Sequence, residues 1–372
     1  MRCFDAVVAG GGIVGAACAA ELARAGLRVA LVEPAAIGGG ATAAGMGHLA
    51  VMDDSEAQFA LTRYSQQLWK ELADRLPSGA EYLSCGSLWV AADAEEMAEV
   101  NRKTNYYRAR GVPVEALDSQ SLAEAEPNLR HGLAGGLLMK DDAVVYPPCA
   151  ARFLISPGEA PGLELIPGKR VVEVKDEGAR LDDDEWLQAA FIIVATGAMA
   201  AELAPEISIQ PRKGHLVITD RYPGFLRHQL IELGYLKSAH STDSDSVAFN
   251  AQPRLTGQIL IGSSRQYAVQ DPAVEKHMID AMLRRAVEYM PSLAACSALR
   301  CWTGFRAATP DKLPLIGVCP GFGNVYLATG HEGLGISTSL ATARLLTDII
   351  LNRTSDIARE PYLPERVYAL HN

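Results

Sequence analysis

Hydrophobic positions along this chain switch between the spacing of strands and that of helices, and the order of the switches predicts a layered architecture. Phe4 to Ala9 has the β-branched, apolar character of a buried strand and breaks at Gly10-Gly11-Gly12. Ile13 to Ala25 is rich in small and apolar residues and suits a closely packed helix. After Gly26 the run LRVALVE returns to strand character and ends on the acid Glu33. Ala57 to Leu76 has helical spacing, with Leu61, Tyr64, Leu68 and Leu72 expected on one apolar face. Tyr82 to Leu138 mixes short strands such as GSLWVA with a charged helix around Glu95 to Arg110, an excursion from the first layer.

Strand character returns near Leu165. The stretches KRVVEVKDEG and LDDDEWLQAAFIIVATGAMAAELA predict a hairpin-like pair, then a buried strand and a glycine turn. FIIVATG, wholly apolar up to its Ala-Thr-Gly, reads as a central parallel strand meeting a ligand at its carboxyl end; a core strand with a tight turn is the plainer alternative. From Pro211 to Leu299 the runs HLVITD, SVAFNA and QILIGSS predict a mostly antiparallel sheet, with a helix from Val274 to Tyr289. The strand NVYLATG, a turn and a helix through Asp348 then return to the first pattern. The expected fold class is α/β, α+β overall. A Rossmann-like domain would be assembled from 1–75, 140–205 and 300–372, and a mostly antiparallel substrate domain from 76–139 and 206–299.

Glycines supply the first chemistry. Gly10, Gly12 and Gly15 stand in G-x-G-x-x-G register between a strand and a helix. There they provide a tight turn, close backbone approach to a pyrophosphate, and close packing of helix on strand. The helix N-terminus offers unpaired N–H groups and a positive dipole end to phosphates. Glu33, at the end of the next strand, is placed to accept both ribose hydroxyls of an adenosine. An export signal also begins with a basic residue and a small apolar run, but its core is a leucine-rich helix without a strand and glycine turn. A second constellation, ATGHEGLGISTSLATARLLTDII, repeats strand, turn and helix with Gly330, Gly333 and Gly335. A second helix N-terminus suits a long cofactor whose far end gathers partial negative charge when reduced, which favours FAD over NAD.

The chain has 372 residues, enough for two joined domains, and a formal net charge of −10, which argues against general affinity for nucleic acid or anionic lipid. Its seven cysteines are scattered without a C-x-x-C pair, which suits a reducing cytoplasm and leaves no ligand set for zinc or an iron–sulfur cluster. No metal is expected. No tract is long and apolar enough to span a bilayer, so a cytoplasmic location is expected, with peripheral contact to a respiratory membrane left open.

These motifs, VVAGGGIVGAACAAELARAGLRVALVE, GGATAAGMGHL, IIVATGAMA, GFRAATPDKLPLIG and ATGHEGLGIS in that order, resemble the D-amino acid oxidase, glycine oxidase and sarcosine oxidase group of FAD-dependent amine oxidoreductases over essentially the whole chain. Within the group the chain looks most like the flavin subunits of bacterial D-hydroxyproline dehydrogenases and opine oxidases. The resemblance implies an FAD-binding domain of glutathione reductase type. It assigns Gly10, Gly12, Ile13, Val14, Gly15 and Glu33 to the ADP half, and Thr42, Gly45, Met46 and Gly47 to the turn bordering pyrophosphate and flavin. Val171 would meet adenine through its backbone, Thr196 and Gly197 form the Ala-Thr-Gly turn, and Gly330, Gly333, Leu334, Gly335 and Ile336 border the flavin O2 side. Where some relatives attach FAD through a cysteine this chain has Gly304, which implies noncovalent FAD.

The same resemblance places Arg306 where a substrate carboxylate is held, a task its planar fork suits. Asn250 stands where glycine oxidase has a tyrosine, and Gly333 replaces a family arginine; both changes suggest room for a bulkier, cyclic or N-substituted substrate. His48 and His331 flank the two flavin-side turns. Either could touch substrate, tune the flavin or satisfy a loop carbonyl, and taken singly the structural role is the safer reading. Tyr235 and Tyr267 are lesser pocket candidates, and Cys301 and Trp302 read as core. The implied reaction is hydride transfer from the α-carbon of a D-amino or cyclic imino acid, best D-hydroxyproline or D-proline, to flavin N5, giving an imine. Electrons would pass to an iron–sulfur or second flavoprotein partner. The rivals are an oxygen-using glycine, sarcosine or opine oxidase and a noncatalytic FAD-binding relay subunit; a carboxylate clamp counts against the last.

Overall fold

The computed structural model describes residues 2–234, 245–267 and 269–368, and the chain divides into two compact units. The first comprises 1–80, 146–212 and 305–372; the second comprises 81–145 and 213–304.

The first unit is built on a sheet whose strands run in the order Leu315–Val318, Val325–Thr329, Trp186–Val194, Arg2–Ala9, Val29–Glu33 and Leu163–Pro167. Arg2–Ala9 pairs in parallel with Trp186–Val194 on one side and Val29–Glu33 on the other. Only the edge strand Leu315–Val318 on this path runs antiparallel. The strand that carries IIV is thus central and parallel, and Ile192, Ile193 and Val194 are fully buried, as continuous apolar runs in such sheets require. The hairpin Val171–Lys175 and Gly178–Leu181 adds to the start of Trp186–Val194. Helix Gly335–Ile350 packs against both Ile13–Arg24 and Glu56–Leu72.

Glu56–Leu72 begins where Ser55 accepts the Gln58 N–H, a side-chain cap. Its buried face differs from the expected one. Leu61 and Leu72 are buried, but Tyr64 and Leu68 are only partly so, and Trp69, with Gln58, Thr62, Ser65 and Gln66, fills the interior. The neighbouring helix explains this, because the Ser65 hydroxyl accepts the Ala341 N–H and small residues there admit a polar but close-packed seam.

The second unit holds an eight-stranded sheet in the order Ala298–Ala308, Gln210–Thr219, Ile259–Arg265, Ser246–Pro253, Gln229–Glu232, Ser87–Ala91, Gly135–Met139 and Val114–Asp118. Its described pairings are antiparallel except that of Gln229–Glu232 with Ser87–Ala91. Helix Lys276–Tyr289 packs on Ser246–Pro253, with Phe249 and Tyr289 stacked at 4.8 Å between ring centroids. Helix Ala94–Ala109 starts at Asp93, which caps the Glu96 N–H.

Cys301 is exposed and Trp302 only half-buried, contrary to a core reading, because Ala298–Ala308 is an outer strand whose first four residues face solvent. This strand and the helix Pro147–Leu154 were not anticipated from sequence spacing. No described helix is long and apolar enough to cross a membrane.

Candidate functional site

The first glycine turn lies where Arg2–Ala9 meets helix Ile13–Arg24. Gly10 has φ +103° and packs so tightly that a Cβ there would stand 2.7 Å from the Ala195 carbonyl oxygen. A Cβ on Gly15 would overlap the Gly10 carbonyl. Gly12 is less crowded, its nearest neighbour being Thr42 Oγ1 at 3.3 Å. The same hydroxyl accepts the Ile13 N–H at 3.0 Å, so Thr42 caps this helix from another segment. Glu33 accepts the Gly11 N–H at 2.6 Å and the Ala35 N–H at 2.8 Å, which fixes its carboxylate beside the turn; each oxygen retains a further lone pair. Gly11, absent from the sequence-based candidates, is closely packed there: a Cβ would meet Ile37 Cδ1 at 2.5 Å and the Glu33 side chain at 3.0 Å, so both side chains would have to shift. Its place in the unbroken triplet was the available signal.

The second turn runs through the short helix Gly40–Ala44 and Gly45 to His48. Met46 is buried and Gly47 has φ +102°. A Cβ on Gly45 would press against Ile336 Cδ1 at 2.8 Å, and the His48 carbonyl accepts the Ser337 hydroxyl at 2.8 Å. The turn is thereby joined to the start of helix Gly335–Ile350. The third turn reaches the same place: a Cβ on Gly335 would lie 3.7 Å from Val14 Cγ2. Gly330 has φ +78° and abuts Thr309, and Leu334 N–H donates to the His331 carbonyl at 2.9 Å. Thr196 sits beside Gly10, and the Gly197 carbonyl accepts the Thr329 hydroxyl at 3.0 Å.

Arg306 lies near the end of the outer strand Ala298–Ala308 and against the third turn. A Cβ on Gly333 would stand 3.7 Å from Arg306 Cδ and Nε, and Glu332 N–H donates to the Ala307 carbonyl at 2.8 Å. Two charged residues here escaped the sequence reading. Glu332 has φ +50°, and its carboxylate forms an ion pair with Arg212, the two side chains being 12% and 9% exposed. Nothing local in the sequence signals a pair between such distant positions. Asp311 of the same segment is fixed by Arg366 Nε at 2.6 Å.

Burial pushes the His48 and His331 imidazoles down to about 3, so both are neutral at ordinary pH. His331 Nε2 meets Thr342 Oγ1 at 3.0 Å, a structural bond. His48 Nε2 is buried without a hydrogen-bond partner among the described residues, as is Thr196 Oγ1. Val171 opens the strand Val171–Lys175 opposite Leu181, three residues after Gly168, whose N–H donates to the Glu33 carbonyl at 2.8 Å, and it shares a core cluster with Ala9 and Val32. Asn250 belongs to the second unit, where its Oδ1 is likewise buried without a described partner. Tyr267 is half-buried, and Tyr235 lies outside the described residues. Among the described residues no group of three or more His, Cys, Asp or Glu side chains could hold a metal ion.

A glycine cradle at a parallel sheet's carboxyl end, a second turn and helix start brought against it, and two orphaned buried polar atoms at these turns fit an extended dinucleotide. The arrangement defines a flavin-dependent oxidoreductase of Rossmann type. The chain belongs to the FAD dependent oxidoreductase family, whose description matches residues 5–349, and FAD is its cofactor. It is 30% identical to a glycine oxidase of Pseudomonas aeruginosa, over 96% of this chain and 98% of that protein. It is 29% identical to the hydrogen cyanide synthase subunit HcnC of the same species, over 98% and 96%. Among solved structures, the glycine oxidase from Geobacillus kaustophilus superimposes with a TM-score of 0.87 at 26% identity, covering 98% of this chain and 99% of that one.

Proposed function

We propose that this enzyme oxidises the C–N bond of a D-amino or cyclic imino acid, best D-hydroxyproline or D-proline, to an imine. The carrying observation is Arg306 held against Gly333 at the third glycine turn. A guanidinium there grips a carboxylate through two parallel bonds, and glycine beside it leaves room for a ring. FAD, when bound, accepts the hydride and its electrons. The protein's part is to orient: Arg306 fixes the carboxylate end, and a neutral, buried His48 offers its unpartnered Nε2 without adding charge. Gly10, Gly12, Ile13, Val14, Gly15 and Glu33 hold the ADP half. Thr42, Gly45, Met46, Gly47, Thr196, Gly197, Gly330, Gly333, Leu334, Gly335 and Ile336 hold the remainder. With Gly304 at the attachment position, the flavin is noncovalent and is released when the protein is precipitated with acid.

Kinship to glycine oxidase supports a second reading, an oxygen-using oxidase of glycine or sarcosine. The relative named as a synthase subunit supports an enzyme that hands electrons to a partner. One experiment separates these. The flavin-loaded enzyme is mixed without oxygen with D-proline, cis-4-hydroxy-D-proline, sarcosine, glycine and octopine in turn, and air is then admitted. Bleaching by a cyclic imino acid with slow reoxidation is expected. Rapid recovery with peroxide marks an oxidase, and bleaching by glycine alone replaces the substrate. Arg306→Ala should lose roughly a hundredfold in kcat/KM; an unchanged value removes the proposed anchor.

A further inference from the structure

The wall behind the third turn is held by a residue far along the chain. A Cβ on Gly330 would stand 2.5 Å from Thr309 Cγ2 and 3.5 Å from the Leu315 nitrogen, so the loop 309–315 packs directly on the residue that opens the turn. Inside this loop Lys312 has φ +63°, a left-handed backbone that persists in a residue other than glycine only where its surroundings hold it. Two local bonds shape the bend: the Thr309 hydroxyl donates to the Leu313 carbonyl at 2.8 Å, and the Leu313 N–H donates to Asp311 Oδ1 at 3.1 Å. The clamp is Arg366. Its Nε donates to Asp311 Oδ2 at 2.6 Å, and its Nη2 donates to Asp311 Oδ1 at 3.2 Å and to the Leu313 carbonyl at 2.7 Å. The remaining nitrogen, Nη1, donates to the Leu363 carbonyl at 3.0 Å, so the planar fork is engaged on every nitrogen. Burial alone would raise the Asp311 carboxyl, but the Arg366 guanidinium holds it below the usual range, and the carboxylate stays charged. The segment that carries Arg366 is itself seated. Val367 is buried in the core cluster of Ala307 and Leu315, and a Cβ on Gly317 would press on Leu363 and Pro364 at 3.0 and 3.2 Å.

We propose that Arg366 is a positioning residue for FAD: it clamps the loop 309–315, the loop holds Gly330 and the third turn in place, and the segment 360–367 thereby latches the flavin end of the cofactor and not its ADP end. The inference rests on the reading that the first turn holds the ADP half and the third turn borders the flavin. Linkage is reciprocal, so bound FAD tightens the docking of the segment by the factor through which the segment tightens FAD.

The test is a pair of titrations of the full-length, flavin-free chain, with FAD followed by flavin fluorescence and with ADP followed by calorimetry. Arg366→Ala should weaken FAD roughly tenfold or more and leave ADP within about twofold of the parent. Arg366→Lys, which keeps the charge and loses the fork, should recover only part of the FAD affinity. The parent and Glu33→Gln test the premise: the parent should bind FAD more tightly than ADP, and Glu33→Gln should weaken both ligands. Equal parental affinities, or a Glu33→Gln variant that binds both ligands like the parent, would sink the assignment of the two cofactor ends and the latch with it. If the premise holds and Arg366→Ala binds FAD like the parent, or loses FAD and ADP alike, the segment only supports the fold and the proposal is overturned. Should Arg366→Ala fail to fold, Asp311→Asn decides by the same two titrations, since it keeps an acceptor for the Leu313 N–H and loses the ion pair. A loss confined to FAD upholds the latch, and parental FAD affinity or an equal loss of ADP overturns it.

Discussion

The Thr42 hydroxyl accepts the Ile13 N–H at 3.0 Å, so the helix that opens the glycine turn is capped by a residue from the next segment. The family resemblance assigns Thr42 to the pyrophosphate, whereas this bond gives it a structural role as well. Thr42→Val should cost about 1 kcal/mol of stability, as loss of a helix cap does. Urea unfolding of the flavin-free chain measures it. Unchanged stability with lost flavin would instead make Thr42 purely a cofactor ligand.

Gly15 and Gly12 are both fingerprint glycines, yet the structure makes them unequal. A Cβ at 15 collides with backbone, while one at 12 meets only a side-chain oxygen at 3.3 Å. Gly15→Ala should destabilise the chain by roughly 2–3 kcal/mol, as overpacking does. Gly12→Ala should melt within about 1 kcal/mol of the parent and lose FAD affinity by crowding the approach to the phosphates. Thermal melts with and without FAD, beside flavin content, distinguish the two. Equal melting temperatures would contradict the packing argument.

Both glycine turns, the central parallel strand and the charged helix of the second unit were readable because each is local: a few residues dictate the backbone they adopt. Less legible was anything decided by a distant neighbour. For helix Glu56–Leu72 the apolar spacing gave the right element and half of the buried face: Leu61 and Leu72 are buried as expected, but Trp69, Ser65 and Gln66 are buried in place of Leu68 and Tyr64. Trp69→Ala should therefore cost about 3–5 kcal/mol and Leu68→Ala about 1 kcal/mol, measured by urea unfolding. The reverse ranking would restore the face expected from sequence.

The candidate site divides along the same line. Gly11 was visible in the triplet but overlooked, because its neighbours Glu33 and Ile37 approach only on folding. Glu332 was hidden because a left-handed backbone is read from glycine or asparagine, and its partner Arg212 lies in another strand. Cys301 illustrates the converse error: it belongs to a strand at the sheet's end, whose first residues are exposed.

His331 provides a test of stability against pH. Burial lowers its pKa to about 3 in the folded chain, from 6.5 when exposed. Between these values the unfolded chain binds the proton and the folded chain does not, so stability rises with pH across that window and is lost as pH falls below about 6.5. From pH 7 to pH 5 the loss from this one residue is about 2 kcal/mol. His48, shifted in the same direction by burial, adds to it. His331→Asn, which does not titrate, should flatten the decline between pH 7 and 5, whatever it does to stability at pH 7. Urea unfolding at the two pH values for both proteins decides: an unchanged slope means that the imidazole takes up protons alike in the folded and unfolded chains, and that the depressed pKa inferred for the buried histidine at this turn is wrong.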